Sequence, residues 1–496
     1  MRYGVFSWVY KYSRKVFSID TRSLALFRIC LALLILFDLF IRSKALVAHY
    51  TDFGVLSVGA FNEHYGNYYW WSIHLLSGSV WFQILLFSIA AGFAILLLLG
   101  YYTRTAMFFS WILLISLQTR NPLVLQGGDI FLRVLAFWAL FLPLGVKWSL
   151  DSRINNKSNN ERAFSFGTAG ILLQIGMLYV FSAFLKSGTA WKDGSAVYLA
   201  LSVDQFATHF GKWLLLQSGL THFLTYAVYY FELMGPFLLF IPFFFGPIRT
   251  LFAFGFVILQ AGMGLSLRLG PFPWISSVAM IVFLPAWFWN TFVGRKIETI
   301  MDKLFRRGDY KSIHLSKSFE GYSKNKIRKV LFILGNIIAA FFIVFIFLWN
   351  VQTLGHNTVP DNVEWIALVT RTDQHWNMFA PSPLTEDGWY VLYGKLENGN
   401  VVNVLDEGVP ISFIKPEYVA ALYPHERWRK YLMNLWNRDN AVYRDYYLDY
   451  LCRDWNYKHA RDNQMSEIEM HFMLEKTLGN YQTEPIEDVL LLKKIC

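Results

Sequence analysis

Long apolar runs dominate the first 350 residues of the chain. Most are close to the roughly 20 residues that a helix needs to cross the hydrocarbon core of a bilayer. The pattern predicts nine membrane-spanning helices, at 22–41, 80–100, 104–119, 128–146, 163–186, 223–245, 247–267, 273–292 and 328–350. Residues 1–21 combine basic and aromatic side chains without a cleavable signal pattern, which predicts a cytoplasmic interfacial segment.

The hydrophobic pattern changes after residue 350. Residues 389–405 resemble two strands around an Asn-Gly turn, residues 417–436 and 440–459 resemble helices, and residues 466–476 alternate like a half-buried strand. We therefore predict an all-α polytopic membrane protein that ends in a small extracytoplasmic α+β domain. Its predicted parts are the segment 1–21, the bundle 22–292, a basic cytoplasmic loop 293–327, the last helix 328–350 and the α+β domain 351–496.

Composition and charge support a membrane protein and suggest its orientation. Hydrophobic residues make up 55% of the chain and charged residues only 16%, whereas a soluble protein carries roughly a quarter charged residues. Residues 1–350 hold 31 Lys and Arg against 14 Asp and Glu, and residues 351–496 hold 14 against 21. With a cytoplasmic N-terminus, 21 basic residues lie inside and 7 in short outer segments. This bias is typical of membrane topology rather than of nucleic-acid binding.

Cysteine and histidine usage gives little support for a metal site. The three cysteines, Cys30, Cys452 and Cys496, are too few for a disulfide framework or a zinc site. A disulfide between Cys452 and Cys496 is possible if the C-terminal part lies in an oxidising compartment, and free thiols at both positions are the alternative. The histidines lack metal-ligand spacing, so no metal is predicted.

Ionisable and amide side chains occur within the predicted spans, where they are costly. Glu232 and Gln260 lie in the sixth and seventh spans. Asp129 and Arg133 are four residues apart, so they share a helix face and can pair. Two interpretations are possible. Such residues either hold helices together through polar contacts or line a polar cavity that opens to the outer side.

Lys186 ends the fifth span, next to an outer segment rich in glycine. Its amine either extends to the interface or faces a dry cavity. In a cavity, desolvation favours the neutral amine, which can then act as a general base.

Four blocks of the sequence resemble the HTTM family, the horizontally transferred transmembrane domain that includes the membrane half of vitamin K-dependent gamma-carboxylase. They are residues 50–56, residues 121–133 with Gly127-Gly128-Asp129, residues 148–151, and the stretch Lys186 to Gly194. The resemblance covers roughly residues 17–295. Residues 376–389, with Trp376-Asn377-Met378-Phe379, resemble the C-terminal segment of bacterial members, which implies a bacterial inner membrane.

The resemblance implies a chemistry for Lys186. In the carboxylase, a lysine five residues before a tryptophan deprotonates vitamin K hydroquinone, and Lys186 precedes Trp191 by this spacing. A reduced quinone is the implied cofactor, with Lys186 and Asp129 as catalytic residues. Residues expected to contact the substrate are Arg120, Asn121, Arg133, Trp191 and Asp193. The chain departs from the carboxylase because the segment 121–129 has no histidine and the C-terminal domain is shorter.

Two functions of different classes follow. The first is a carboxylase-like enzyme that uses Lys186 as a base on a quinol in an outward-facing membrane cavity. The second is a non-catalytic membrane factor for the maturation or export of a secreted peptide or protein. Its C-terminal domain would bind that partner through the stretch from Trp376 to Trp389, and Lys186 would tolerate replacement. Both place the protein in a lipid bilayer.

Overall fold

The computed structural model describes residues 2–66, 71–154, 161–305, 323–478 and 482–496. The first half of the membrane part contains α1 (Arg2–Phe17), α2 (Thr21–Ser43), α3 (Leu46–Tyr50), α4 (Val58–Tyr65), α5 (Val80–Leu99), α6 (Thr103–Arg120), α7 (Gly127–Ala139), α8 (Leu150–Ile154) and α9 (Phe166–Leu185). The second half contains α10 (Thr189–Asp193), α11 (Ala196–Ser202), α12 (His209–Leu215), α13 (Ser218–Leu238), α14 (Phe245–Ser266), α15 (Phe272–Ala279), α16 (Ala286–Trp289), α17 (Phe292–Leu304) and α18 (Ser323–Gln352). Two short strands, β1 (Ile19–Asp20) and β2 (Arg162–Ala163), pair antiparallel.

Five helices in the described part of the chain are long and apolar enough to cross a membrane: α2, α5, α9, α14 and residues 329–352 of α18. The chain is therefore a membrane protein, while the number nine stays a prediction. The other four predicted spans coincide with α6, α7, α13 and α15. α7 has 13 residues and measures about 20 Å, which is short of the roughly 30 Å hydrocarbon core.

The predicted loop 293–327 is partly helical. α17 occupies Phe292–Leu304, where Thr291 caps it by accepting from the Gly294 N–H. Residues 306–322 of the predicted loop lie outside the described residues. At the other end, the predicted interfacial segment forms the 16-residue helix α1.

The C-terminal part is an α+β domain built on one sheet. The chain enters it through α19 (Glu364–Thr370), and the sheet has the strand order β4 (Val401–Asn403), β3 (Glu386–Leu396), β5 (Met465–Lys476) and β6 (Glu487–Ile495). All neighbouring strands are antiparallel. The predicted hairpin is confirmed as β3–β4, with Gly399 at φ +84° in its turn, a backbone conformation that favours glycine.

Two helices pack with this sheet, α20 (Glu426–Trp436) and α21 (Val442–Lys458). The predicted helix 417–436 begins only at Glu426, because Pro424 disfavours helical geometry in the residue before it. His425 caps α20 by accepting from the Arg427 N–H. Cys452 on α21 forms a disulfide with Cys496 at the end of the chain.

The C-terminal domain shares its hydrophobic core with the membrane part. Val55, Leu56 and Phe61, between α2 and α5, belong to the same buried cluster as Leu392 and Tyr431. The end of the bundle that carries these residues and the α+β domain are therefore packed together, and the cavity described below lies where they meet.

Candidate functional site

A cavity of about 630 Å³ lies between the helix bundle and the C-terminal domain. Helices α7, α9, α13 and α14 supply its bundle wall. The segment 371–385, which connects α19 to β3, and helix α20 complete it. Apolar side chains on its wall include Leu178, Met263, Leu269, Phe272 and Met378. A cavity of this size and character is typical of small-molecule sites.

A lysine and a glutamate form an ion pair on the cavity wall. Lys186 directly follows α9 and is 4% exposed, while Glu232 on α13 is 5% exposed. The Lys186 ammonium donates to the Glu232 carboxylate, and its nitrogen lies 4.8 Å from the centre of the Trp191 ring. Burial of two charges is tolerated here because each has an opposite partner.

The same helix face carries further polar side chains into the cavity. Tyr179 and Ser182 precede Lys186 by seven and four residues, which places all three on one side of α9. The Gln260 amide nitrogen on α14 donates to the Tyr179 hydroxyl at 3.1 Å. Within the described chain, the Gln260 carbonyl oxygen has no hydrogen-bond partner. It is a buried acceptor that a ligand hydroxyl could satisfy.

The segment 371–385 brings charge to the cavity from the C-terminal side. Arg133 on α7 donates to the Asp373 carboxylate at 2.8 Å and to its backbone oxygen at 2.6 Å. The Arg371 guanidinium lies 3.8 Å from the same carboxylate, and burial lowers the pKa of Arg371 to about 10. Burial also lowers the pKa of His375, so this histidine is neutral at pH 7.

Helix α20 contributes two cations from the C-terminal domain, Arg429 and Lys430. Arg429 donates to the Gln205 backbone oxygen at 3.2 Å and lies over the Phe206 ring. Burial lowers the pKa of Arg429 to about 10. Burial also lowers the pKa of Lys430, and the positive charge of Arg429 adds to this effect.

Asp129 lies in a separate buried cluster of charges. Its carboxylate accepts from Arg42 and Arg427, and from the Gln126 backbone N–H at 2.8 Å. Asp38 accepts from the same two arginines, at 2.8 Å from Arg42 and 2.6 Å from Arg427. Two carboxylates thus balance two guanidiniums. The predicted Asp129–Arg133 pair is wrong, because Arg133 bonds to Asp373 instead.

Two more of the predicted site residues hold backbone in place away from the cavity. Arg120 donates to the Leu56 backbone oxygen at 2.8 Å. The Asn121 amide donates to the His49 backbone oxygen at 3.0 Å and its carbonyl accepts from the Leu123 N–H. Neither side chain lines the cavity.

Trp191 and Asp193 also lie outside the cavity lining. Trp191 supports two residues of the cavity wall without lining the cavity. Its ring contacts the Lys186 ammonium, and its indole N–H donates to the Phe379 backbone oxygen at 2.9 Å. Asp193 accepts from the backbone and hydroxyl of Ser195 in a local turn. Of the seven predicted residues, Lys186 and Arg133 therefore line the cavity.

Several polar residues of the cavity are not among the residues predicted from the sequence: Tyr179, Arg371, Asp373, Arg429 and Lys430. The helical spacing from Tyr179 to Lys186 was a usable signal. The others sit on loops or on a helix of another domain, where no local pattern points to the cavity. Among the described residues, no group of three His, Cys, Asp or Glu side chains is arranged to hold a metal ion.

Comparison with known proteins identifies the family of the bundle. The chain matches no curated protein and no solved structure. A family model described as the HTTM domain matches residues 17–287, more than half of the 496 residues. The extent agrees with the resemblance seen in the sequence, and the matched range contains Lys186, Trp191 and Glu232. The chain therefore belongs to the HTTM domain family.

Proposed function

We propose that this protein is a membrane enzyme that binds a reduced quinone in the cavity and uses Lys186 and Glu232 to take up its hydroxyl proton. The observation that carries the proposal is the buried Lys186–Glu232 pair on the cavity wall. We further propose that the cavity faces the extracytoplasmic side of a bacterial inner membrane. The excess of basic residues on the opposite loops supports this orientation.

The cavity suits the polar head of a quinol. The Gln260 carbonyl oxygen has no partner among the described residues and can accept from a hydroxyl. The Tyr179 hydroxyl, held by the Gln260 amide, is a second polar group at this position. Leu178, Met263 and other apolar side chains supply the surface that an aromatic ring requires.

The pair acts as a unit in the proposed proton transfer. Before reaction, the Lys186 ammonium and the Glu232 carboxylate together carry no net charge. Transfer of a quinol proton leaves an ammonium beside a neutral carboxyl group, with the quinolate held next to Lys186. The positive charge appears where the negative charge of the quinolate develops, which is the electrostatic arrangement that lowers a barrier.

In the proposed carboxylase-like reaction, dioxygen is the second reactant after proton transfer. One oxygen atom enters the quinone epoxide, and the other leaves as water with both quinol hydrogens. The contacts of the remaining candidates support different roles. Arg133 orders the segment 371–385 through Asp373, and Trp191 positions Lys186. Asp129 is held by Arg42 and Arg427 and has no part in the proposed proton transfer.

The test is turnover of a short-chain naphthoquinol by the purified protein in detergent, in the presence of oxygen. Epoxide formation is followed by ultraviolet absorbance and mass spectrometry. We expect Lys186→Met and Glu232→Gln each to lower kcat by about 10²–10⁴-fold, because each removes half of the proton-accepting pair.

Lys192→Met is the matched control, since Lys192 is exposed and lies six residues further along the chain. It should retain wild-type turnover. Thermal melting of each variant separates lost chemistry from lost folding. Equal turnover by the wild type and a folded Lys186→Met variant would overturn the proposal, as would the absence of turnover by the wild type.

One observation favours the second candidate, a factor that docks a secreted peptide or protein. The loop after β4 exposes three apolar side chains, Val409, Phe413 and Ile414, and Ile414 is 81% exposed. If docking is the function, Ile414→Ser abolishes it, while Lys186→Met leaves it unchanged. The same two variants therefore separate the two functions.

A further inference from the structure

The cavity carries more positive than negative charge. Two carboxylates, Glu232 and Asp373, line it together with five cationic side chains, Arg133, Lys186, Arg371, Arg429 and Lys430. Glu232 neutralises Lys186. Asp373 is shared by Arg133 and Arg371. Arg429 and Lys430 form no ion pair with a carboxylate on the cavity wall in the described chain.

The surplus is greatest where α20 meets the cavity. Arg429 is 4% exposed, and its Nε has no hydrogen-bond partner in the described chain. Its other contacts are a backbone oxygen and the face of the Phe206 ring. The neighbouring Lys430 has neither a hydrogen bond nor an ion pair with any residue that the structure describes. Two adjacent cations with open donors thus face one cavity.

The nearest carboxylate on the same helix is directed elsewhere. Glu426 accepts from the Gln126 amide at 3.0 Å, and its other oxygen lies 3.5 Å from Arg427. Buried cations without a partner are costly, so proteins retain them where a ligand supplies the opposite charge. Burial lowers the pKa values of Arg429 and Lys430, and the negative charges of Glu426 and Asp129 offset this effect only in part.

We infer that Arg429 and Lys430 form an anion subsite that binds a phosphate-type group carrying at least two negative charges. The two positive charges of Arg429 and Lys430 suit a phosphomonoester or diphosphate better than a single carboxylate. The planar guanidinium of Arg429 and the ammonium of Lys430 are the two side-chain types that proteins use most for phosphate. The group belongs either to a lipid headgroup, since the cavity borders the bundle, or to a soluble phosphate compound.

This inference concerns the cavity of the proposed enzyme but does not depend on quinol chemistry. Lys186 and Glu232 occupy the wall formed by α9 and α13, whereas the subsite lies on α20 of the C-terminal domain. A protein that fails to turn over a quinol can therefore still bind an anion at the subsite. A protein that fails to bind an anion can still use the Lys186–Glu232 pair as the proton acceptor.

The experiment compares the full-length wild type with Lys430→Gln. Because Lys430 makes no hydrogen bond or ion pair with any described residue, this variant should fold and melt like the wild type. Pyrophosphate is titrated against the detergent-solubilised protein by thermal shift. Phosphatidic acid and phosphatidylcholine are then compared by native mass spectrometry. Lys430→Arg tests rescue by a retained charge, and Lys395→Gln, on the exposed face of β3, is the matched control.

Whichever probe the wild type binds, pyrophosphate or phosphatidic acid, Lys430→Gln should bind it at least about tenfold more weakly. This is the loss expected for one charge-assisted hydrogen bond. Lys430→Arg and Lys395→Gln should bind like the wild type. Binding of pyrophosphate assigns the subsite to a soluble phosphate compound. Preferential retention of phosphatidic acid over phosphatidylcholine, without pyrophosphate binding, assigns it to a lipid headgroup. Binding of neither probe, or equal binding by Lys430→Gln and the wild type, overturns the inference.

Discussion

Two buried carboxylates show how the immediate partners of one residue decide its chemistry. Asp129 receives two guanidiniums and a backbone N–H, so it is held as one member of a balanced charge cluster. Asp387 at the start of β3 is also buried, but its donors are neutral: the Gln205 amide at 2.9 Å and the Asp204 backbone N–H. Burial therefore raises the pKa of Asp387 to about 6. Asp387 is the residue whose titration should be visible in the stability of the protein.

The sign of this effect follows from proton binding. Between pH 4 and 6 the folded protein retains a proton on Asp387 that the unfolded chain has lost, so stability falls as the pH rises. The total contribution is about 3 kcal/mol, from a pKa shift of roughly two units. We expect Asp387→Asn to remove this part of the pH dependence, measured as melting temperature against pH. The exposed Asp439→Asn variant should keep the wild-type slope. An unchanged slope in Asp387→Asn would contradict this account.

The segment 371–385 joins the helix bundle to the C-terminal domain at the cavity. It carries Asp373 to Arg133, and the Pro381 backbone oxygen accepts from the Gly188 N–H at 2.9 Å. Gly188 follows Lys186 by two residues. A Cβ at Gly188 would overlap the Ser382 hydroxyl and stand 2.7 Å from the Pro381 oxygen. This close approach fixes the segment against the loop that follows Lys186.

Gly188→Ala should therefore displace the segment and loosen the cavity wall. We expect a destabilisation of about 1–3 kcal/mol, the usual cost of overpacking, and a higher KM for the quinol. The matched control is Gly262→Ala on α14, where a Cβ meets nothing within 4 Å. Alanine there should stabilise the helix slightly. If both variants have the wild-type melting temperature and KM, the segment does not depend on this contact.

At the scale of the whole molecule, one arginine joins the C-terminal domain to the bundle. Arg427 on α20 reaches Asp38 on α2 and Asp129 on α7, across 389 and 298 residues of sequence. It is 1% exposed and also donates to the Val124 backbone oxygen at 3.1 Å. Together with the shared apolar core around Val55 and Tyr431, this cluster sets how the domain closes the cavity.

Removal of this arginine should undock the domain. Arg427→Met leaves Asp38 and Asp129 buried with Arg42 as their one remaining guanidinium, and we expect a destabilisation of about 3–5 kcal/mol. Thermal melting in detergent measures it. The exposed Arg438→Met variant is the control and should melt like the wild type. The double variant Arg427→Met with Asp38→Asn restores charge balance and should recover part of the loss. No destabilisation in Arg427→Met would show that the apolar core alone holds the domain.

Much of the fold was predictable because it depends on local patterns. Apolar runs of membrane length predicted all five helices that are long and apolar enough to cross a membrane, and also α6, α7, α13 and α15, whereas α17 lies in a predicted loop. Alternation and the Asn398-Gly399 turn predicted β3, β4 and β5. The last strand, β6, was missed. The resemblance predicted the HTTM family, and the family match confirms it.

The sequence by itself thus determined the class of protein, most of the helices and the hairpin, and it singled out Lys186, which the structure places on the cavity wall. Hydropathy and periodicity are properties of segments of up to about 20 consecutive residues, so they can be read locally. Only the tertiary structure decided which charges meet: Lys186 with Glu232 over 46 residues, and Arg427 with Asp38 over 389. Such pairs form because a buried charge is removed from water and is stable only next to an opposite charge. The packing of helices and domains decides which opposite charge lies close enough to pair.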